Sequence, residues 1–163
     1  MNISNLSYYT VRPAKALDAY AVSSGLCGED RLELERLQDA DIYRIVLDSY
    51  LESAPAAWTA LAPGERHAAM WGVTVHPALP DVGIPWVLKT EWALKRPSEF
   101  MRISRFFNAG FGRQFKYLAN YVDASYGTSI RWMKRLGFTE GETETSARGY
   151  PFVCMWRKTH VRR

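Results

Sequence analysis

The last third of the chain places one helix between strand-forming segments, and this succession constrains the fold more than any other feature. The segment "FKYLANYVD" has the apolar and aromatic content of a strand, and "SYGTSIRWMKRLG" follows it with helical periodicity. The remaining "FTEGETETSARGYPFVCMWRKT" predicts two strands with a turn near Gly149. Strands that alternate with a helix predict an α/β layer arrangement, in which helices pack on a sheet.

The helix itself has a clear start, an apolar face and a clear stop. Ser125 is a candidate N-cap, and cations near the C-terminal end suit the helix dipole. Three apolar residues recur on one face: Ile130, Met133 and Leu136. Gly137 followed by Phe138 is typical of a Schellman stop, in which glycine takes the left-handed conformation.

The rest of the chain predicts a mixed α/β domain. "SYYTVRPA" is a first strand, "AKALDAYAVSSG" a short helix, and the following helical region is interrupted near residues 38–41. Two strands are joined by the turn Pro63-Gly64, "ALPDVG" is a loop, and "IPWVLKTEWAL" is a fourth strand. Ser98 then caps a helix through "EFMRISRFFNAGF". The order is β-α-α-β-β-β-α-β-α-β-β, and we expect one domain over residues 1–163.

Charge and cysteine content narrow the function classes. The net charge is +4 and the pI about 9.1, which suits a phosphate-bearing ligand or an acidic partner but does not by itself indicate nucleic acid. Cys27 and Cys154 are isolated, so two reduced thiols are expected, and the three histidines lack metal-ligand spacing. No signal peptide or membrane span is indicated, and a cytoplasmic protein is expected.

The stretch "NYVDAS" followed by "SIRWMKRLGF" resembles the last conserved segment of the GNAT N-acetyltransferase superfamily. The matching positions are Ile130, Arg131, Lys134 or Arg135, Leu136, Gly137 and Phe138. The opening "YYTVRPAKALDAYAV" is similar to the usual start of that superfamily. The resemblance implies a mixed central sheet whose fourth and fifth strands splay apart, flanked by helices. "PWVLKTEWAL" and "LANYVDASYGTSIRWMKRLG" further resemble the divergent GNAT-like proteins of short-tailed phages, which include internal virion proteins.

The resemblance implies acetyl-CoA as the cofactor, with two departures from the family pattern. "ALKRPSEF" replaces the glycine-rich pyrophosphate loop, which leaves Lys95, Arg96 and the helix start at Ser98 to bind the diphosphate. Met133 stands where the family has its general-acid tyrosine. The implied cofactor-binding residues are Trp92, Ala93, Leu94, Lys95, Arg96, Ser98 and Ser129.

Acyl transfer to an amine needs a base, an oxyanion donor and an acid for the leaving thiolate. Glu91, late in the fourth strand, is the candidate base, although a Lys89–Glu91 pair on a solvated edge explains it equally well. The amide of Trp92 or Ala93 is the implied oxyanion donor. Tyr126 is the candidate acid, and His76, an alternative base, is more simply an exposed residue at a strand end. Four basic residues could hold a nucleotide phosphate or form a solvated helix face: Arg102, Arg105, Arg113 and Lys116.

Three functions remain open. The first is an acetyl-CoA-dependent N-acetyltransferase that acts on a host protein or a small amine. The second is a binding module on the same fold with decayed catalysis, used as a virion component or as an inhibitor of a host protein. The third is a nucleic-acid binder that uses the basic helix. Thermal stabilisation by acetyl-CoA separates the first two, since a ligand that binds only the folded state raises the melting temperature.

Overall fold

The computed structural model describes residues 6–53 and 56–160. The strands are β1 (Thr10–Pro13), β2 (Trp58–Ala62), β3 (Arg66–His76), β4 (Leu79–Lys89), β5 (Tyr117–Asp123), β6 (Thr139–Thr145) and β7 (Pro151–Lys158). The α-helices are α1 (Ala16–Ser24), α2 (Gly28–Leu37), α3 (Ile42–Leu51), α4 (Pro97–Phe111) and α5 (Gly127–Arg135), and a 3-10 helix covers Glu91–Leu94. No helix of the described residues is long and apolar enough to cross a bilayer.

The strands form one mixed sheet in the order β1-β2-β3-β4-β5-β7-β6. Every neighbouring pair is antiparallel except β4 and β5, which run parallel and are connected through the 3-10 helix and α4. The predicted α/β fold class with a mixed, helix-flanked sheet is therefore confirmed.

Each face of the sheet carries its own core, because side chains alternate along a strand. Met70 and Leu88 point to one face and pack with α1, α2 and α3. Trp71 and Val73 on β3 point to the opposite face and pack with α4 and α5. We call these two sides the α2 face and the α4 face.

The parallel pairing of β4 with β5 is very short. It joins Val82 to Tyr117 and Gly83 to Leu118 and then stops, although β4 continues to Lys89 and β5 to Asp123. The two strands therefore diverge over their C-terminal halves, as the resemblance implied. The divergence leaves a gap in the middle of the sheet.

Two strand boundaries differ from the sequence prediction. "ALPDVG" is not a loop, because β4 already begins at Leu79 and forms a hairpin with β3, with a register shift between Val75 and His76. The strand also does not extend through "TEWAL". It ends at Lys89, because Thr90 turns the chain: its hydroxyl accepts a hydrogen bond from the amide of Trp92, which caps the 3-10 helix.

The predicted helix starts were wrong in detail, whereas the predicted stop of α5 is confirmed. The N-cap position of α4 is Arg96, with Pro97 in the first turn, so Ser98 lies inside the helix. Ser125 precedes the N-cap residue of α5, and its hydroxyl donates to Asp123 Oδ1 over 2.6 Å. Gly137 has a φ of 86°, and the amide of Phe138 donates to Met133 O, as the Schellman geometry requires.

Arg157 on β7 holds the C-terminal ends of two helices together. Its guanidinium donates to Leu136 O over 2.7 Å, at the end of α5, and to Asn108 O over 2.9 Å, in the last turn of α4. It forms no salt bridge with a described carboxylate, and burial lowers its pKa. The partial negative charges of the helix ends compensate this cation.

Candidate active site

The backbone of β4 shows which of its polar groups face the gap. The amide of Thr90 donates to Ala68 O, so residues 84, 86 and 88 are the ones that exchange hydrogen bonds with β3. The N–H and C=O groups of Pro85, Val87 and Lys89 therefore point away from β3 and toward the gap. Pro85 suits this orientation, because a proline has no N–H to contribute to the ladder.

Only Val87 among these three keeps a free N–H in the gap. The amide of Lys89 donates to Asp30 Oδ2 over 2.7 Å, and its carbonyl accepts from the amide of Cys27. The carbonyl of Pro85 accepts from Asn120 Nδ2 over 2.9 Å, across the gap. Within the described residues, the Val87 N–H has no hydrogen-bond partner. A backbone donor held open between two strands can stabilise a developing oxyanion.

A cleft of about 540 Å³ runs along this gap and is lined from both faces of the sheet. From the α2 face it is lined by residues of α2, among them Glu29 and Glu33, by Ile45 of α3 and by Glu52 directly after α3. From the α4 face it is lined by Pro97, Phe100, Ser129, Trp132 and Met133. The cleft is thus bounded by both helical layers, and its carboxylates lie on the α2 face.

A buried ion pair closes the wide end of the gap. Asp30 is 4% exposed, and its Oδ1 lies 2.8 Å from Lys89 Nζ. Burial acts to lower the pKa of Lys89, but the Asp30 charge prevails and raises it, so the ammonium stays charged. Tyr126 donates its hydroxyl to the same Oδ1 over 3.2 Å, and burial together with Asp30 raises the pKa of this phenol.

Glu33 lies one turn after Asp30 on α2 and is the carboxylate with the most perturbed pKa. Burial and the neighbouring Asp30 charge raise that pKa from 4.5 to about 8, although Lys89 acts in the opposite direction. A carboxylate of this kind is half deprotonated near pH 8, which suits a general base. Glu33 lines the cleft and remains partly accessible.

Positive charge and free backbone donors lie beside the cleft, on the segment that leads into α4. Lys95 and Arg96 are exposed and stack on the rings of Trp92 and Tyr8 respectively. The first turn of α4 has no side-chain cap, so its early amides remain available to a ligand. Glu99 does not occupy them, because its carboxylate accepts hydrogen bonds from Ser7 and Tyr8 instead.

The structure brings some of the predicted site residues together and leaves others at the margin. Four of them line the cleft: Ala93, Leu94, Tyr126 and Ser129. The others lie on the adjoining segment before and within α4, outside the lining: Glu91, Trp92, Lys95, Arg96 and Ser98.

Three details of the catalytic prediction need correction. Glu91 is not on the strand; it is exposed at the start of the 3-10 helix, and Lys89 pairs with Asp30 rather than with Glu91. The amides of Trp92 and Ala93 already donate to the hydroxyl and the carbonyl of Thr90, so neither is a free oxyanion donor. The open donor is the amide of Val87.

His76 and the candidate phosphate-binding cations also lie away from the cleft. The ring of His76 accepts a hydrogen bond from the amide of Ala78 and thereby supports the β3–β4 turn. Lys116 pairs with Asp81 over 2.6 Å at an exposed edge. Arg102, Arg105 and Arg113 do not line the cleft.

Glu33, Asp30 and Val87 are the residues that sequence reasoning missed. Asp30 and Glu33 are three residues apart, a spacing that places both on one helix face. That spacing was the available signal for them. The free amide of Val87 has no signal of its own, since it depends on where β5 stops pairing.

No protein-family model matches the chain, and no curated protein matches it in sequence. Solved structures do resemble it. Ard1 from Thermoplasma volcanium has a TM-score of 0.71 at 13% identity, with 94% of this chain and 99% of that chain covered. A GNAT superfamily phosphinothricin acetyltransferase from Sinorhizobium meliloti, in complex with AcCoA, has a TM-score of 0.71 at 12% identity, with 94% and 89% covered. RimL, a ribosomal L7/L12 alpha-N-protein acetyltransferase in complex with coenzyme A, has a TM-score of 0.69 at 12% identity, with 96% and 97% covered.

These similarities extend over nearly the whole chain, with 94% of it covered in each of the two structures that have a TM-score of 0.71. At 12–13% identity they concern the backbone and not the side chains. The chain has the fold of the GNAT acetyltransferases.

Proposed function

We propose that the protein transfers an acyl group from an acyl-CoA thioester, acetyl-CoA in the first instance, to a primary amine. The observation that carries this proposal is the unpartnered Val87 N–H inside a cleft that reaches both faces of the sheet. Two of the similar solved structures are complexes with AcCoA and with coenzyme A, and this supports the choice of cofactor.

The distribution of charge assigns one substrate to each face of the sheet. An anionic nucleotide suits the α4 face, where Lys95, Arg96 and the free first turn of α4 lie. A cationic amine suits the α2 face, where the carboxylates of Glu29, Glu33 and Glu52 line the cleft. The two reactants then meet at the gap, with the thioester carbonyl directed at the Val87 N–H.

The reaction needs one proton acceptor for the incoming ammonium, and we assign this role to Glu33. Glu33 takes a proton from the ammonium, directly or through a water, and the free amine attacks the thioester carbonyl. The C–N bond forms and the oxyanion accepts a hydrogen bond from the Val87 N–H. When the C–S bond breaks, the nitrogen loses its second proton and the sulfur gains one, so that the products are an amide and the free thiol.

Tyr126 contributes a hydrogen bond rather than a proton in this scheme. Its hydroxyl already donates to Asp30, and its pKa is raised. A cysteine-like thiol has a pKa near 8.5, so transfer from such a phenol to a leaving thiolate is uphill. The prediction that Tyr126 is the acid stays open to test, as does the assignment of Glu91 as base.

Binding and turnover test the proposal in sequence. Saturating acetyl-CoA stabilises a protein that binds it only when folded, by about 2.7 kcal/mol at a hundredfold excess over Kd. Thermal unfolding with acetyl-CoA, with CoA and with ATP as a control measures this effect. Turnover is then followed by chromatographic separation of CoA from acetyl-CoA in the presence of a panel of amines and lysine-containing peptides. Binding without transfer to any amine would favour the binding-module alternative.

The Val87 N–H can be removed without disturbing the β3–β4 ladder. Val87→Pro deletes a donor that does not pair with β3, and Pro85 already occupies the equivalent position two residues earlier. Loss of one oxyanion donor lowers kcat by about 10²–10³-fold. The variant is expected to show this loss with acetyl-CoA binding retained. Full turnover in a folded Val87→Pro protein would refute the role of this amide.

The resemblance to phage GNAT-like proteins rests on "PWVLKTEWAL" and "LANYVDASYGTSIRWMKRLG", and an acceptor on a host protein is one acceptor that this implies. The carboxylates on the α2 face support a cationic acceptor of either kind, a protein amine or a small amine.

A further inference from the structure

A small pocket adjoins the cleft on the α4 face and extends beneath the gap. Its volume is about 40 Å³, and its inner wall is formed by Trp71, Ile103, Phe107, Asn108 and Phe111. We call it the tail pocket. A water molecule takes about 10–15 Å³ of such free space, so the tail pocket has room for about three non-hydrogen atoms.

The tail pocket begins where the acyl group would be held. Six residues line both the cleft and the tail pocket: Pro85, Trp86, Val87, Phe100, Trp132 and Met133. A carbonyl oxygen at the Val87 N–H therefore leaves the acyl chain beside the mouth of the pocket. This placement rests on the proposed function, because it takes the Val87 amide as the carbonyl donor.

Two polar atoms at the tail pocket lack partners. Trp71 is 5% exposed, and its indole N–H has no acceptor among the described residues. Asn108 is half-buried, but its side-chain oxygen is shielded from solvent and has no donor among the described residues. An unsatisfied buried donor or acceptor costs free energy, and native proteins keep few of them. One is a donor and the other an acceptor, and a hydroxyl group offers the complementary acceptor and donor.

We propose that the tail pocket selects a short acyl chain that ends in a hydroxyl group. The hydroxyl oxygen accepts from the Trp71 indole N–H, and its proton is donated to the Asn108 side-chain oxygen. A 3-hydroxypropionyl group has two carbons and one oxygen beyond its carbonyl, which matches the three-atom space. An acetyl group has one carbon there and leaves both polar atoms unpaired.

Two acyl-CoA thioesters of equal size test the proposal. Butyryl-CoA and 3-hydroxypropionyl-CoA differ only in a terminal methyl against a terminal hydroxyl, and calorimetry gives their Kd values beside those of acetyl-CoA and CoA. The hydroxyl compound is expected to bind about tenfold more tightly than butyryl-CoA, and also more tightly than acetyl-CoA. Butyryl-CoA binding as tightly as the hydroxyl compound would overturn the polar selection, and weaker binding of both than of acetyl-CoA would show that the pocket holds only water.

Two variants separate this proposal from the proposed function. Trp71→Phe keeps a ring and removes the N–H, so the tenfold preference is expected to disappear. Ser104→Leu fills the pocket at a half-buried residue that lines the tail pocket and not the cleft, so binding of the longer chains is expected to weaken while acetyl-CoA affinity is retained. A preference that survives Trp71→Phe, or longer chains that bind Ser104→Leu unchanged, would overturn the inference. Failure of all four ligands to bind, CoA included, would overturn the proposed function as well.

Discussion

Replacing Glu33 by glutamine separates its role as a base from its role in the fold. Glutamine has nearly the same shape and cannot accept the ammonium proton. General-base catalysis contributes about 10²–10⁴-fold, so turnover is expected to fall by that order in Glu33→Gln. Acetyl-CoA should still bind, because Glu33 lies on the α2 face and the nucleotide is proposed to enter from the α4 face.

The pH dependence follows from the pKa of Glu33, which burial and Asp30 raise to about 8. Only about a tenth of the carboxyl is deprotonated at pH 7, so kcat/KM of the parent protein is expected to rise about tenfold per pH unit below 8 and then level off. This rise of kcat/KM with pH should be absent in Glu33→Gln. The same rise in the variant would refute the assignment of Glu33 as the base.

The pH dependence of the free energy of unfolding gives a second, independent test of the raised pKa of Glu33. The folded-state pKa of Glu33 lies above its unfolded value, so the parent loses stability as the pH rises from 4.5 to about 8. The shift corresponds to at most about 5 kcal/mol, which partial solvent access reduces. Glu33→Gln lacks this loss of stability. The melting temperature of the variant is therefore expected to lie above that of the parent, by a margin that grows from pH 5 to pH 8. Equal pH dependence of the two proteins would show that the pKa is not raised.

Two glutamates provide matched controls for the same substitution. Glu35 lies on the exposed side of the same helix, and Glu91 lies in the 3-10 helix outside the cleft. Glu35→Gln and Glu91→Gln are expected to keep parental turnover. If Glu91→Gln loses turnover and Glu33→Gln does not, the base predicted from the sequence is the right one and the assignment to Glu33 fails.

Three further predictions concern other parts of the site and fold. Tyr126→Phe should lower kcat less than tenfold if its hydroxyl only donates a hydrogen bond, whereas an acid role predicts a loss of about 10²-fold or more. Changing Lys95 and Arg96 together to alanine should weaken acetyl-CoA binding in calorimetry about tenfold or more, while Arg148→Ala, at the distant β6–β7 turn, should leave it unchanged. Arg157→Met should lower the free energy of unfolding in urea by about 2–4 kcal/mol, because two helix ends lose a charged donor; an unchanged midpoint would contradict that role.

Local patterns predicted most of the fold, because the relevant forces act over a few residues. The stop of α5 is an example: glycine at position 137 takes the positive φ that other residues avoid, and the apolar residue after it folds back. The errors lie where a longer-range contact decides. Thr90 ends β4 early because its hydroxyl donates to His67 O, 23 residues away, and accepts from the amide of Trp92, contacts that the apolar run "EWAL" does not reveal.

The candidate base was missed for a reason that lies in the packing of α2. In the sequence, "GEDRLELERL" has the charge density of a solvated helix, and its carboxylates look interchangeable. The tertiary structure distinguishes them: the amide of Cys27 binds Lys89 O, 62 residues away, and this contact turns Asp30 and Glu33 toward the gap while Glu35 faces solvent. Burying two carboxylates side by side with one lysine leaves the second carboxylate uncompensated, and its pKa rises. The packing between α2 and the open end of the sheet thus produces a carboxylate whose pKa is raised to about 8 and which can act as a proton acceptor.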